Sequence, residues 1–190
     1  MKIITSTILA STIAASTAFA ADWGGTYAGA SYNIEAGELR AYDALGASTG
    51  VYDLKGDLFG GFAGYNVDTG SMVFGGEIAF ATGDLHLVTH ATAHVETIID
   101  AKARLGLPLG DALVYGVAGG SIGHYVGVTT DIDFAGVNYG AGIEYAVTDN
   151  IFIGVEYLAR EVGGLPLNIL VPGSVEYSIQ STQVRVGFSF

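Results

Sequence analysis

The chain has no cysteine among its 190 residues, seven basic residues against 19 acidic ones, and no long apolar run beyond its first twenty positions. Each shortage removes a class of answer. Without cysteine, whatever stabilises the fold is not a disulfide. With a formal charge of −12, there is no basic face for phosphates, and nucleic acid is excluded as a partner. Without a stretch of roughly 20 apolar residues after position 20, no helix can span a membrane. No Pro/Ser-rich linker divides the chain, so a single domain is expected.

What is present runs against those shortages. Mean hydropathy is +0.45 and half of the residues are hydrophobic, too apolar for an ordinary secreted domain. Apolar residues placed at every second position, facing lipid in place of a buried core, reconcile a high hydropathy with the lack of a spanning helix. Glycine, 29 of 190, is about twice its usual share of roughly 7%. That richness suits strongly curved strands in which missing side chains relieve crowding.

The first twenty residues read as an export signal. Met1-Lys2 is a short positive start, residues 3–15 are mildly apolar, and Ala18-Phe19-Ala20 is an A-x-A site, placing the mature start at Ala21. Residues 1–20 are thus the expected signal peptide and 21–190 the expected domain.

Period-two patterning then predicts eight strands, near residues 23–33, 58–67, 72–82, 94–107, 112–124, 134–147, 151–161 and 181–190. In the last, Thr182, Val184, Val186, Phe188 and Phe190 share one face, and Ser181, Gln183 and Arg185 the other. Ala63, Tyr65 and Val67 in the second strand, Ile78 and Phe80 in the third, Ile143 and Tyr145 in the sixth, and Val155 and Tyr157 in the seventh are expected outside. In the fifth strand Leu113, Tyr115 and Val117 are taken as the lipid-facing set. Connections alternate between long (34–57, 83–93, 126–133, 162–175) and short. The expected fold is all-β: an eight-stranded antiparallel up-and-down transmembrane β-barrel, closed so that no edge remains.

The ordered motifs Trp23-Gly24-Gly25-Thr26-Tyr27-Ala28-Gly29, Gly61-Phe62-Ala63-Gly64-Tyr65-Asn66, Phe74-Gly75-Gly76-Glu77, Arg104-Leu105-Gly106, Tyr115-Gly116-Val117-Ala118-Gly119-Gly120 and Tyr139-Gly140-Ala141-Gly142-Ile143-Glu144-Tyr145, with terminal Phe190, carry a resemblance. The chain resembles the small outer-membrane barrels of Gram-negative bacteria grouped as porin-family or opacity-like domains, common in alphaproteobacteria and related in architecture to the OmpA transmembrane domain. The resemblance implies an integral outer-membrane protein with structural or host-contact roles and no catalytic residues. Phe188 and Phe190 resemble the terminal signal read by the barrel-assembly machinery, served by periplasmic chaperones in transit. Arg185 stands where the commonest form of that signal has glycine.

An eight-stranded barrel is just wide enough for side chains to fill it. The inward charges Glu77, Glu96, Asp100, Glu144 and Glu156 against Lys102, Arg104, Arg160 and Arg185 are therefore expected to pair across the lumen. Glu35, Glu38, Asp43, Asp53 and Asp57, with Asp131 and Asp133, outweigh Arg40 and Lys55 and are expected to form an anionic loop rim. Two readings of that rim stand at this point: a simply solvated acidic surface, or one that divalent cations bridge to lipopolysaccharide phosphates. Trp23, Tyr27, Tyr65, Tyr139, Tyr145 and Tyr157 are expected in interfacial girdles. His86, His90 and His94 are spaced by four, about 13 Å in extended chain, too far for one ion, so no metal or cofactor is predicted. Ser121 and His124, with Asp131 or Asp133 beyond, fall on opposite strand faces, so no enzyme is predicted. Two functions remain: a structural, surface-exposed barrel contacting lipopolysaccharide, host or environment, or a small narrow-lumen porin.

Overall fold

A computed structural model describes residues 21–43, 45–87, 90–126, 131–164 and 175–190. Eight antiparallel strands follow one another around a closed barrel: β1 (Gly25–Tyr42), β2 (Ser48–Asp68), β3 (Val73–Leu87), β4 (His90–Leu109), β5 (Ala112–Val126), β6 (Asp131–Ala146), β7 (Ile151–Gly164) and β8 (Val175–Ser189). β8 closes on β1, with Ala28 opposite Phe188 and Arg40 opposite Glu176. Every strand thus has neighbours on both sides, which an apolar solvent requires of backbone polar groups.

Alternation holds along each strand. Phe59, Ile78, Phe80, Val137, Tyr139, Ile143, Val155 and Val186 stand exposed on the outer face, while the residues between them face the lumen. Tyr65, Tyr139, Tyr145 and Tyr157 lie outside as expected. Trp23 and Tyr27 do not. They are 6% and 4% exposed and point into the barrel, so neither belongs to an outer girdle. The facing in β5 is also reversed. Leu113, Tyr115 and Val117 are buried in the lumen, and Val114 and Ile122 face out. Apolar residues occupy both faces of that strand, so alternation alone does not say which face is inside.

The strands are longer than their apolar stripes. Segments 34–57 and 83–93, expected as loops, are mostly strand, and so are the described residues of 126–133: β1 and β2 pair up to Tyr42 and Ser48, and β5 and β6 up to Val126 and Asp131. The 21 residues of β2 extend roughly 70 Å, or about 50 Å along the barrel axis at a tilt near 40°. The apolar band of such barrels is about 25 Å tall. Above Ile34, Phe59, Phe80, Ile99, Ile122 and Val137 the outward residues turn polar, and the upper barrel projects beyond the membrane. This end lies opposite the termini and the turns after β2, β4 and β6, so it is the extracellular end.

Candidate functional site

The inward side chains stack in four layers, visible on single strands. β7 contributes Phe152, Glu156, Arg160 and Val162 in ascending order; β4 contributes Arg104, Lys102, Asp100 and Ile98; β8 contributes Arg185, Ser181, Ile179 and Tyr177.

The periplasmic layer is aromatic. Phe152 lies 6.1 Å from Trp23 and Tyr27 and 6.2 Å from Phe62, with Val73 and Leu113 beside them. Glycines make the room. Phe152 sits opposite Gly187, Tyr27 opposite Gly64 and Tyr115 opposite Gly142. A Cβ at these glycines would come within 2.1, 2.3 and 2.5 Å of the facing ring or its hydroxyl. Much of the glycine content therefore hollows the inner wall for rings laid across it.

Above it lies an ionic layer of three acids and three bases. Arg185 binds Glu77 at 2.5 Å, Glu156 at 2.6 Å and Glu144 at 3.6 Å; Lys102 binds Glu77 at 2.7 Å and Glu156 at 2.6 Å; Arg104 binds Glu77 at 3.1 Å and Glu144 at 2.7 Å. Tyr115 donates to Glu156, and the hydroxyl of Tyr27 bonds both Arg104 and Glu77. The guanidiniums of Arg185 and Arg104 lie 3.9 and 4.0 Å from the ring centres of Phe62 and Tyr115. Each ion has more than one opposite neighbour, the condition under which burial of charge is tolerated.

The third layer is unbalanced. Arg160 makes a bidentate bond to Asp100 at 3.0 and 2.7 Å and reaches Glu35 only at 3.4 Å. Ser121 donates to Asp100, Asn138 to Ser121, and Ser181 to Glu35. One guanidinium thus faces two carboxylates.

The extracellular layer is apolar again: Leu54, Leu58, Leu85, Ile98, Phe134 and Ile179 close the lumen, with Leu39, Val162 and Tyr177 around them. The lumen is therefore not polar throughout: its ionic layers lie between two apolar plugs.

Eight of the nine expected lumen charges are brought together there. Glu96 is the exception. The β4–β5 register shifts between Val95 and Thr97, and Glu96 stands exposed outside. A one-residue slip transfers a side chain to the opposite face. Glu35, read as a loop residue, takes a lumen place instead, 2% exposed. Its position two residues from Asn33, on the inward parity of β1, was the available signal.

No catalytic arrangement forms among the described residues. Ser121 is buried and bonded to Asp100, while His124 faces outward and meets Asp133 at 2.7 Å. His86 lies 3.8 Å from Asp84; the side chains of His90, His94 and Asp131 lie outside the described residues. Among those described, no three metal-ligating groups come together.

Charge outside the lumen is concentrated. Asp22, Asp68, Asp111 and Asp149 lie at the periplasmic end. Among the described side chains, nine other acidic residues lie at the extracellular end, against Arg40 and Lys55.

The outer-membrane protein β-barrel domain family matches residues 5–190. The chain belongs to this family. It is a protein of the bacterial outer membrane. Among solved structures it is similar to the outer membrane protein OprG of Pseudomonas aeruginosa (11% identity, TM-score 0.58, covering 90% of this chain and 98% of that one). It is also similar to Ail, the attachment invasion locus protein of Yersinia pestis, solved with the heparin analogue sucrose octasulfate (14% identity, TM-score 0.52, covering 87% and 99%). At these identities the likeness is one of fold. Comparison with curated proteins finds no match.

Proposed function

We propose that this family member is a non-conducting, surface-exposed barrel. It serves as a rigid pillar presenting an acidic extracellular end to envelope, host or environment. One observation carries the reading: the lumen is filled from end to end, with the charged layers sealed between the Phe152 and Leu58 plugs. Moving an ion past either plug would mean desolvating it against hydrocarbon. The reading assigns no catalysis. Residues 1–20 act as a signal cleaved after Ala20, and Phe188 with Phe190, 5.2 Å apart on β8 and the terminus, serve as the assembly signal. An acidic rim repels lipopolysaccharide phosphates, so that contact needs divalent counterions; chelation is expected to abolish lipopolysaccharide association in reconstituted samples.

Planar-bilayer recording of the purified protein is expected to be silent; steady unit currents would refute the pillar in favour of the small porin. Orientation has its own test. Leu45, 94% exposed beyond β1, becomes the sole thiol in Leu45→Cys, and intact cells should react with a membrane-impermeant maleimide.

A further inference from the structure

The sheet is uneven at its extracellular end. β2 pairs with β1 up to Ser48, but with β3 only from Leu54, opposite Leu87 where β3 ends. Residues 48–53 thus have β1 on one side and, among the described residues, no strand on the other. Successive residues turn their N–H and C=O to alternate sides, so two of the four in the continuous run Gly50, Val51, Tyr52 and Asp53 offer both groups to the open side, over roughly 13 Å of chain. Such edges are usually blunted by proline, lysine or a bulge. Residues 48–53 contain neither proline nor lysine; the register against β1 shifts once, at Thr49, and past that irregularity Gly50, Val51, Tyr52 and Asp53 run in unbroken register against Ala41, Arg40, Leu39 and Glu38. Thr49, Val51 and Tyr52 favour strand pairing.

Charge indicates what would add there. Glu38 stands directly opposite Asp53, and Asp57 directly opposite Asp84. All four face outward and are exposed. Like charges facing each other across a ladder are unfavourable; the first pair stands at the membrane-proximal end of the open edge and the second four residues below it on β2. Glu38 has Arg40 at 3.2 Å, Asp84 has His86 at 3.8 Å, and Lys55 stands outward between Asp53 and Asp57, so four carboxylates face two permanent cations and acid still predominates. An added strand with cations at alternate positions would align them along this outward face, beside the carboxylates.

We propose that residues 48–53 are a docking edge for an extended basic peptide segment, taken up as an additional strand beside β2. The inference rests on the surface-exposed reading and names the class of partner. Hydrogen bonds along the edge would supply affinity, and the two carboxylate pairs the preference for lysine or arginine.

The test uses the mature protein in detergent micelles and, as probe, a decapeptide of alternating lysine and valine. Hydrogen–deuterium exchange at residues 48–53 is expected to slow at least tenfold on addition of the probe. The same peptide N-methylated along its backbone keeps its charge but cannot pair, and should bind at least tenfold more weakly. Glu38→Gln with Asp53→Asn should weaken the unmethylated probe about tenfold and reduce its salt dependence, leaving the gel mobility of the barrel unchanged. Equal binding of both peptides would reduce the interaction to surface charge and overturn the proposal, as would unaltered exchange at residues 48–53. Conductance, or a Leu45→Cys thiol shielded on intact cells, would instead refute the surface reading.

Discussion

Arg185 is the residue whose loss should be felt most. It bonds three carboxylates, Glu77 at 2.5 and 3.1 Å, Glu156 at 2.6 Å and Glu144 at 3.6 Å, and lies over Phe62. In Arg185→Met the layer retains three acids but only Lys102 and Arg104 to face them, so one negative charge is buried without compensation. Removing one partner of a buried pair typically costs about 3–5 kcal/mol, most of it the penalty on the ion left behind. The physical cause can be isolated by also converting Glu156 to Gln. Lys102 still reaches Glu77, Arg104 still reaches Glu77 and Glu144, and the charge count balances again. The double variant should therefore be more stable than Arg185→Met, recovering at least about half of the loss, a coupling expected of neighbours in one network. Urea unfolding in lipid vesicles, followed by Trp23 fluorescence and gel mobility, measures both. A single variant within about 1 kcal/mol of wild type, or a double variant no better than the single, would refute the account of the lumen as a charge-balanced network.

Other expectations follow from the inner wall. Gly142→Val should cost about 1–3 kcal/mol by driving a side chain into the Tyr115 ring, whereas Gly120→Ala, outward and with no atom nearer than 3.6 Å to its added Cβ, should stay within about 0.5 kcal/mol; the same unfolding assay compares them. Because Arg160 is already held bidentately by Asp100, Glu35→Gln should destabilise less than Glu77→Gln, and Glu96→Gln should leave stability unchanged. Equal losses for Glu77 and Glu96 would contradict the assignment of Glu96 to the outer surface. Trp23, the single tryptophan, should escape quenching by brominated lipids because it lies among Phe152 and Tyr27; strong quenching would return it to the lipid-facing girdle.

Several elements were legible in the residues themselves. Alternation in β3, β4, β6, β7 and β8 located Glu77, Asp100, Lys102, Arg104, Glu144, Glu156, Arg160 and Arg185 on one face, because the period of a strand is two whatever its neighbours. Strand lengths were less legible. Above the membrane the outward residues Glu38, Asp53 and Asp84 are polar, so the apolar signal fades while backbone pairing continues to Tyr42 and Leu87.

The sequence by itself determined the class of fold. Apolar residues at every second position over eight segments, without a spanning helix, admit a closed barrel in lipid and little else. Tertiary structure alone decided which side of an ambiguous strand faces inward, and who meets whom across the lumen. Val114 and Val117 are both apolar, so only register against β4 and β6 assigns Val117 to the interior. Glu35 and Arg160 are 125 residues apart, and the shift beside Glu96 exists only in the pairing of two strands. Periodicity is a property of one strand, whereas register and lumen contacts belong to the closed cylinder, where a slip of one residue exchanges inside for outside.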